Sequence, residues 1–149
     1  MNLLLDRSAH PVIGHRGAAW YAPENTLESF RLALSQGADA IEFDVRRSAD
    51  GEAMVFHDPT LDRTTDQPGP IAARTAAELK RLDAGFHYSQ PGMPGTPFRG
   101  VGVRIPTLRE VIAAFPELPL LIEVKEPEVA EATARALVEG AATDRAVIA

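Results

Sequence analysis

One predicted strand, residues 39–45, begins at Asp39 and carries two further acidic side chains, Glu42 and Asp44, between apolar ones. Apolar and polar residues alternate there with the period of a β-strand, so the apolar side chains share one face while Glu42 and Asp44 share the other. The neighbouring segments are apolar, which predicts an interior strand, and two carboxylates are costly there unless a cation or hydrogen bonds compensate. At an effective dielectric constant of about 20, two unit charges about 4.5 Å apart repel by roughly 4 kcal/mol. The pair is therefore expected either at an exposed strand end or around a positive ion.

Strands alternate with helices along the chain, and this order predicts an α/β fold with a parallel sheet and helices outside it. The link between the second and third strands contains the turn signal Asp50-Gly51, and it is compatible with a short crossover or with an antiparallel turn. Strands are expected at 11–14, 39–45, 53–56, 120–125 and from 146 onward, and helices at 26–36, 76–84, 108–115 and 128–139.

Three of the helix starts carry the capping-box pattern, with Asn25, Thr75 and Thr107 as the capping residues. Between the third and fourth strands, residues 58–106 form a predicted insertion. Its second part, 85–106, is dense in Gly and Pro but contains aromatic side chains, so we expect an ordered excursion with a small core of its own.

Composition excludes several classes of function. The chain of 149 residues is 45% hydrophobic, enough for one globular domain, and its net charge of -6 without a basic cluster argues against nucleic acid or an anionic membrane surface as a partner. It has no cysteine, which excludes disulfides and thiolate metal sites. The apolar run Leu3–Leu5 is too short for a signal peptide or a membrane span, so we expect a cytoplasmic protein without stable membrane insertion.

Ionisable side chains lie where four of the predicted strands end, and in parallel α/β folds the carboxyl ends of strands are where sites form. Packing could explain any one of these residues, but it does not readily explain seven ionisable residues at four strand ends. The residues are His15, Arg16, Glu42, Asp44, His57, Glu123 and Lys125.

The motifs around these residues resemble, in order and spacing, those of the glycerophosphodiester phosphodiesterase family over residues 11–149. The resemblance implies a TIM (β/α)8-type barrel and divalent-cation-dependent hydrolysis of glycerophosphodiesters to glycerol 3-phosphate and an alcohol. The motifs are His15-Arg16-Gly17, Pro23-Glu24-Asn25-Thr26, Glu42-Phe43-Asp44, His57-Asp58 and Ile122-Glu123-Val124-Lys125.

The chemistry of the residues agrees with this resemblance. The carboxylates of Glu42, Asp44 and Glu123 offer hard oxygen ligands, which suit Mg²⁺ or Ca²⁺ better than zinc. His15 and His57 can act as acid and base on opposite sides of a phosphorus atom. The remaining two, Arg16 and Lys125, can supply positive charge to non-bridging phosphate oxygens.

Structural roles are the alternatives. Glu42 and Asp44 could pair with Arg16 and Arg46, and Lys125 could form a salt bridge to Glu123 alone. Asn25 is expected to act first as a helix cap and only secondarily in the site. Asp58 is expected to support a neighbour or form a turn, while His10 and His87 are expected at the surface.

A complete barrel of this type has eight strands and typically about 250 residues. Four clear strands and the start of a fifth are predicted here, so we expect a domain over 1–149 that is incomplete at its C-terminus. A missing half or a second chain would complete it.

Two other functions are alternatives to hydrolysis of glycerophosphodiesters. The first is a phospholipase C/D-type phosphodiesterase on the same barrel, but the sequence lacks the apolar or basic run that would face a membrane. The second is an inactive half-barrel that acts as an interaction module.

Overall fold

The structure is a computed structural model that describes residues 2–149 and contains, in that part of the chain, five strands and four α-helices. The strands are β1 (Ile13–His15), β2 (Ala40–Arg47), β3 (Ala53–Val55), β4 (Leu120–Val124) and β5 (Ala146–Ile148). The helices are α1 (Leu27–Ser35), α2 (Ala76–Leu79), α3 (Leu108–Ala114) and α4 (Ala130–Glu139). No helix between residues 2 and 149 combines the length and the apolar character that a bilayer span requires.

Four strands form a parallel sheet in the order β1-β2-β4-β5. β3 instead runs antiparallel to the end of β2, so the link between them is an antiparallel turn, in which the Ser48 amide donates to the Glu52 carbonyl at 3.0 Å. The prediction that β3 is a barrel strand is wrong, because this turn is far too short for a crossover. Val45 pairs with both Val55 of β3 and Val124 of β4, so β3 extends the edge on which β1 lies.

The main core lies between one face of the sheet and helices α1, α3 and α4. Phe43 on β2 contacts Phe30 on α1, with ring centroids 5.6 Å apart, and Phe30 in turn lies 6.2 Å from Phe115 at the end of α3. Since side chains alternate along a strand, this packing assigns the opposite face of β2 to Glu42 and Asp44.

A second apolar cluster lies beside β3, under the segment that follows it. Phe98 packs against this cluster and contacts the Tyr88 ring, with centroids 5.1 Å apart. The helix predicted to reach residue 84 ends at Leu79, because the amides of Arg81 and Leu82 bond to carbonyls three residues back and form turns. The buried members of the cluster are Met54, Phe56, Leu61, Ile71, Ala76, Leu79, Leu82, Ala84, Val103 and Ile105.

Two of the three predicted helix caps are confirmed, since Thr75 and Thr107 form complete capping boxes at α2 and α3. The third is wrong: α1 is capped by Thr26, whose hydroxyl accepts from the Ser29 amide. Asn25 precedes this cap in a left-handed conformation, with φ of 58°, and its side chain points to the sheet.

The turn after β1 depends on Gly17. Its φ is +82°, and a Cβ at this position would lie 2.7 Å from the carbonyl carbon of Ser29 and 2.9 Å from the Phe30 ring. The backbone of the turn therefore packs directly on α1, at a distance that only glycine permits.

Gly17→Ala should lower the free energy of unfolding by about 2–5 kcal/mol, because the cost of the left-handed conformation adds to that of overpacking. Gly37 provides a matched control, since its φ is +92° but nothing lies within 4 Å of an added Cβ. Gly37→Ala should cost only the conformational part, about 1–2 kcal/mol. Urea unfolding measures both, and equal losses would contradict the close contact at Gly17.

Candidate active site

Three carboxylates from two neighbouring strands meet at the carboxyl end of the parallel sheet. Asp44 pairs with Glu123 in the β2–β4 register, and Glu42 lies two residues earlier on β2. One carboxylate oxygen from each residue lies within 4.8 Å of the others. The Asp44 side chain is fully buried, whereas Glu42 is 12% and Glu123 47% exposed. The structure thus brings together the three acidic residues that the sequence singled out.

Two basic side chains offset part of this negative charge. Lys125 Nζ lies 3.0 Å from Asp44 Oδ1 and 2.6 Å from Glu123 Oε1. Arg16 Nε lies 3.2 Å from Asp44 Oδ2, on the other side of the same carboxylate. The alternative in which Lys125 pairs with Glu123 alone is therefore wrong, because its ammonium bridges both acids.

Arg16 is fixed through its backbone as well as its side chain. It adopts a left-handed conformation with φ of 52°, which costs about 1–2 kcal/mol in a residue other than glycine. Its amide donates to Glu42 Oε2 at 3.0 Å, and its carbonyl accepts from the Ser29 hydroxyl at 2.9 Å and from the Asn25 amide at 3.1 Å. These bonds hold the strained conformation, a feature that concentrates at functional sites.

Asn25 belongs to the site rather than to the cap of α1. It is 3% exposed, and its Nδ2 donates to Asp44 Oδ2 at 2.9 Å. The order of the two expected roles is thus reversed: the cap was expected first and the site second, because Asn25 and Thr26 are both good capping residues. One signal in the sequence did favour the observed arrangement. Asparagine tolerates positive φ better than threonine does, so of Asn25 and Thr26 the asparagine is the better candidate for the turn before the cap.

The two acids on β2 have pKa values shifted in opposite directions. Burial raises the pKa of Glu42, and the charge of Asp44 raises it further, against the hydrogen bond from the Arg16 amide. Burial also raises the pKa of Asp44, but the hydrogen bond from Asn25 and the neighbouring charges of Arg16 and Lys125 outweigh it, so this pKa lies below its usual range. Of the two acids on β2, Asp44 is therefore the one that the site keeps ionised more firmly.

The two candidate histidines reach the site by different routes. His15 is the last residue of β1; its side chain is 72% exposed, and its Nε2 lies 3.9 Å from Glu42 Oε2. His57 follows β3, which runs back along β2 until the Phe56 amide donates to the Asp44 carbonyl at 3.0 Å. The ring of His57 contacts Asp58, with 2.6 Å between Nδ1 and Oδ1. His57 therefore follows an antiparallel strand, whereas the sequence predicted it at the carboxyl end of a parallel strand.

Arg46 supports the His57 segment and takes no part in the acidic cluster. Its Nε donates to the His57 carbonyl at 2.6 Å, and its Nη1 pairs with Glu126 Oε2 at 3.0 Å. The alternative that pairs Arg46 with the β2 acids is therefore wrong. The other two histidines, His10 and His87, are exposed, as predicted.

The donor set fits a hard divalent cation. All three candidate ligands are carboxylates, the oxygen donors that Mg²⁺ and Ca²⁺ prefer. The buried Oδ1 of Asp44 accepts no hydrogen bond from the described residues, although Lys125 Nζ is close to it. A buried carboxylate oxygen without a hydrogen bond is costly, and a bound cation would remove that cost.

A model of the glycerophosphoryl diester phosphodiesterase family matches residues 15–147. The chain belongs to this family. A glycerophosphodiester phosphodiesterase of Bacillus subtilis is 38% identical over 117 residues, which are 78% of this chain and 40% of that protein. Another, from Caldanaerobacter subterraneus, is 40% identical over 114 residues, which are 76% of this chain and 44% of that protein. The chain spans less than half the length of these relatives.

Solved structures give the same result for the fold. The glycerophosphoryl diester phosphodiesterase domain of a Mycobacterium tuberculosis protein matches 93% of this chain and 51% of its own, with a TM-score of 0.87 and 29% identity. An Oleispira antarctica phosphodiesterase, solved in complex with the product sn-glycerol-3-phosphate, matches 93% of this chain and 56% of its own, with a TM-score of 0.81 and 37% identity. The parallel sheet is therefore of the TIM-barrel-like type found in family members.

Asn25→Ala removes a hydrogen bond to a buried carboxylate and should lower the free energy of unfolding by about 2–3 kcal/mol at neutral pH. Because the folded pKa of Asp44 is depressed, its ionised form stabilises the fold above its unfolded pKa, and that contribution is lost as the pH falls through the folded value. Without Asn25 the folded pKa rises, so the gap between Asn25→Ala and the parent chain should narrow below about pH 4.

Thr26→Ala is the control for this prediction. It removes the cap of α1, at a cost of about 0.5–2 kcal/mol, without touching Asp44. Its stability deficit should therefore not vary with pH in this range. Denaturant titrations from pH 3 to pH 7 measure both variants, and the same pH profile for the two would show that Asn25 does not act on Asp44.

Proposed function

We propose that this chain carries the catalytic machinery for hydrolysis of glycerophosphodiesters to glycerol 3-phosphate and an alcohol, with a divalent cation, Mg²⁺ or Ca²⁺, as cofactor. The observation that carries the proposal is the meeting of Glu42, Asp44 and Glu123 at one edge of the sheet, with Arg16 and Lys125 beside them. Family membership and the product complex of the Oleispira antarctica relative support it.

Glu42, Asp44 and Glu123 would hold the cation. When bound, it polarises a phosphoryl oxygen and offsets the charge that develops during in-line displacement. Without it, three ionised carboxylates outnumber the two cationic side chains by one charge, and such a site repels a phosphodiester monoanion. A divalent cation changes this excess to one positive charge, which matches the single negative charge of the substrate.

The side chains of the chain itself handle orientation and protons. Arg16 and Lys125 lie on opposite sides of Asp44 and would direct their N–H groups at non-bridging phosphate oxygens. One of His15 and His57 would take the proton of the nucleophile, which is water or a substrate hydroxyl. The other would protonate the leaving alkoxide, a poor leaving group near neutral pH without a proton.

The proposal includes further strands at the edges of the sheet. Among the described residues, β1 pairs only with β2 and β5 only with β4, and Ile13 and Ile148 on these edge strands are 37% and 51% exposed. A barrel would cover such edges. We propose that another segment or a second chain supplies the strands that do so.

Glu42→Gln should weaken Mg²⁺ and Ca²⁺ binding by more than about tenfold, because even a group that only orients a metal ligand contributes about that much. Isothermal titration calorimetry with the metal ions alone measures it, whether or not the chain turns over substrate. Glu117→Gln is the control, since it removes an equal charge from an exposed position near the opposite end of β4. Equal affinities for the two variants would contradict the site.

His15→Ala and His57→Ala should each slow hydrolysis of glycerophosphocholine by about 10²–10⁴-fold, the usual contribution of an acid or base, while metal affinity stays at the parent value. His10→Ala, at an exposed position, is the control and should keep the parent rate. EDTA should abolish turnover in the parent chain. A parent chain that binds metal but hydrolyses no diester would favour the interaction-module function instead.

A further inference from the structure

One guanidinium, that of Arg63, joins two carboxylates that come from different parts of the chain. Its Nε and Nη2 donate to Asp58 Oδ2 and Oδ1 at 2.7 and 2.9 Å. Its Nη1 and Nη2 donate to Glu24 Oε2 and Oε1 at 2.8 and 2.7 Å. Two bidentate pairs on one side chain require the planar fork of arginine, which the point charge of lysine does not provide.

The first of these carboxylates, that of Asp58, contacts the candidate catalytic histidine, His57. Asp58 Oδ1 receives a hydrogen bond from Arg63 and also lies 2.6 Å from His57 Nδ1. Hydrogen bonding by Arg63 holds the pKa of Asp58 far below its usual range, so Asp58 is ionised and can only accept. Nδ1 of His57 therefore carries a proton, and Nε2 is the nitrogen left to exchange protons with a substrate.

The second carboxylate, that of Glu24, is connected to the acidic cluster through Arg16. Glu24 Oε1 accepts from Arg63 and also lies 3.2 Å from Arg16 Nη1, while Arg16 Nε contacts Asp44. Arg63 thus fixes the position of the His57–Asp58 pair relative to the residues that would hold the cation and the phosphate. The bonds from the Phe56 amide to the Asp44 carbonyl and from Arg46 to the His57 carbonyl hold the backbone of this segment, but neither contacts the imidazole ring.

Stability alone is a weak explanation for these contacts. The Arg63 side chain is 48% exposed, and exposed ion pairs contribute little to folding. Four donor–acceptor distances between 2.7 and 2.9 Å at one side chain instead indicate a fixed geometry. Arg109 is also exposed and also bridges two carboxylates, those of Glu52 and Glu139, but it lies away from the site. It therefore serves as a control for the effect of losing such a bridge on stability.

We propose that Arg63 is a positioning residue: by clamping Asp58 against Glu24 it holds His57 in the tautomer with a proton on Nδ1 and a free Nε2. The role of His57 in catalysis rests on the proposed function. The tautomer and the orientation of the ring do not, so they can be tested separately.

The first test is the ¹⁵N–¹H NMR spectrum of the imidazole nitrogens in the metal-free parent chain and in Arg63→Met, above the pH at which His57 loses its charge. The parent chain should show His57 protonated at Nδ1. Arg63→Met should show a mixture of tautomers, because Asp58 is free to rotate away. Arg109→Met should match the parent, and an Arg63→Met spectrum that also matches it would overturn the proposal.

The second test uses turnover of glycerophosphocholine. Arg63→Met should lower kcat about a hundredfold, the cost of a displacement of about 1 Å at a reacting group, with a smaller change in KM and an unchanged metal affinity. Arg63→Lys should recover only part of the rate, since it restores the charge but not the two bidentate pairs. In a His57→Ala background, Arg63→Met should cause no further loss, because it acts through that ring.

The outcomes separate the two proposals. A fully additive loss in the double variant, or an equal loss in Arg63→Met and Arg109→Met, would overturn the positioning role. If Arg63→Met does not fold, Arg63→Lys carries both tests, and a parent-like tautomer together with a parent-like kcat would contradict the proposal. A changed His57 tautomer in a chain without any turnover would support the positioning role and count against the proposed function.

Discussion

A carboxylate that is fully removed from solvent, Asp44, is the constraint on which the rest of this structure depends. A buried charge without partners costs several kcal/mol, so the chain must bring compensating groups to it. Asn25, Arg16 and Lys125 do so from the loop before α1, the turn after β1 and the end of β4. Three segments outside β2 are thereby required to meet at Asp44, and the site and the fold stabilise one another.

The order of the strands follows from the same requirement. β4 must lie beside β2 for Glu123 and Lys125 to reach Asp44, and β1 must lie on the other side for the Arg16 amide to reach Glu42. β3 then occupies the remaining part of the β1 edge, beyond the end of that short strand. Its antiparallel direction is what returns His57 to the level of Asp44.

Alternation and strand-end chemistry predicted the parallel strands, the acidic cluster and its two cationic neighbours, because those signals are local. The direction of β3 was not predictable, since a tight turn containing Asp50-Gly51 looks the same before either connection. Asn25 was assigned first to the cap because Thr26 beside it is an equally good capping residue, and no strand-end position links Asn25 to Asp44, 19 residues away. Arg63 gave no signal for the same reason: one of its carboxylates is 39 residues distant, and its segment has no periodicity.

These groups form one ionic network in which opposite charges alternate, and this arrangement gives a physical reason for coupling between its two ends. Glu24 is shared, because its Oε1 faces both Arg16 and Arg63, so a shift of either guanidinium moves the acceptor of the other. The end that would bind a cation and the end that holds His57 are therefore connected by ion pairs and charge-assisted hydrogen bonds between side chains, in addition to the pairing of β3 with β2. Such bonds keep their geometry best when every member stays ionised. In order, the members are Asp58, Arg63, Glu24, Arg16, Asp44, Lys125 and Glu123.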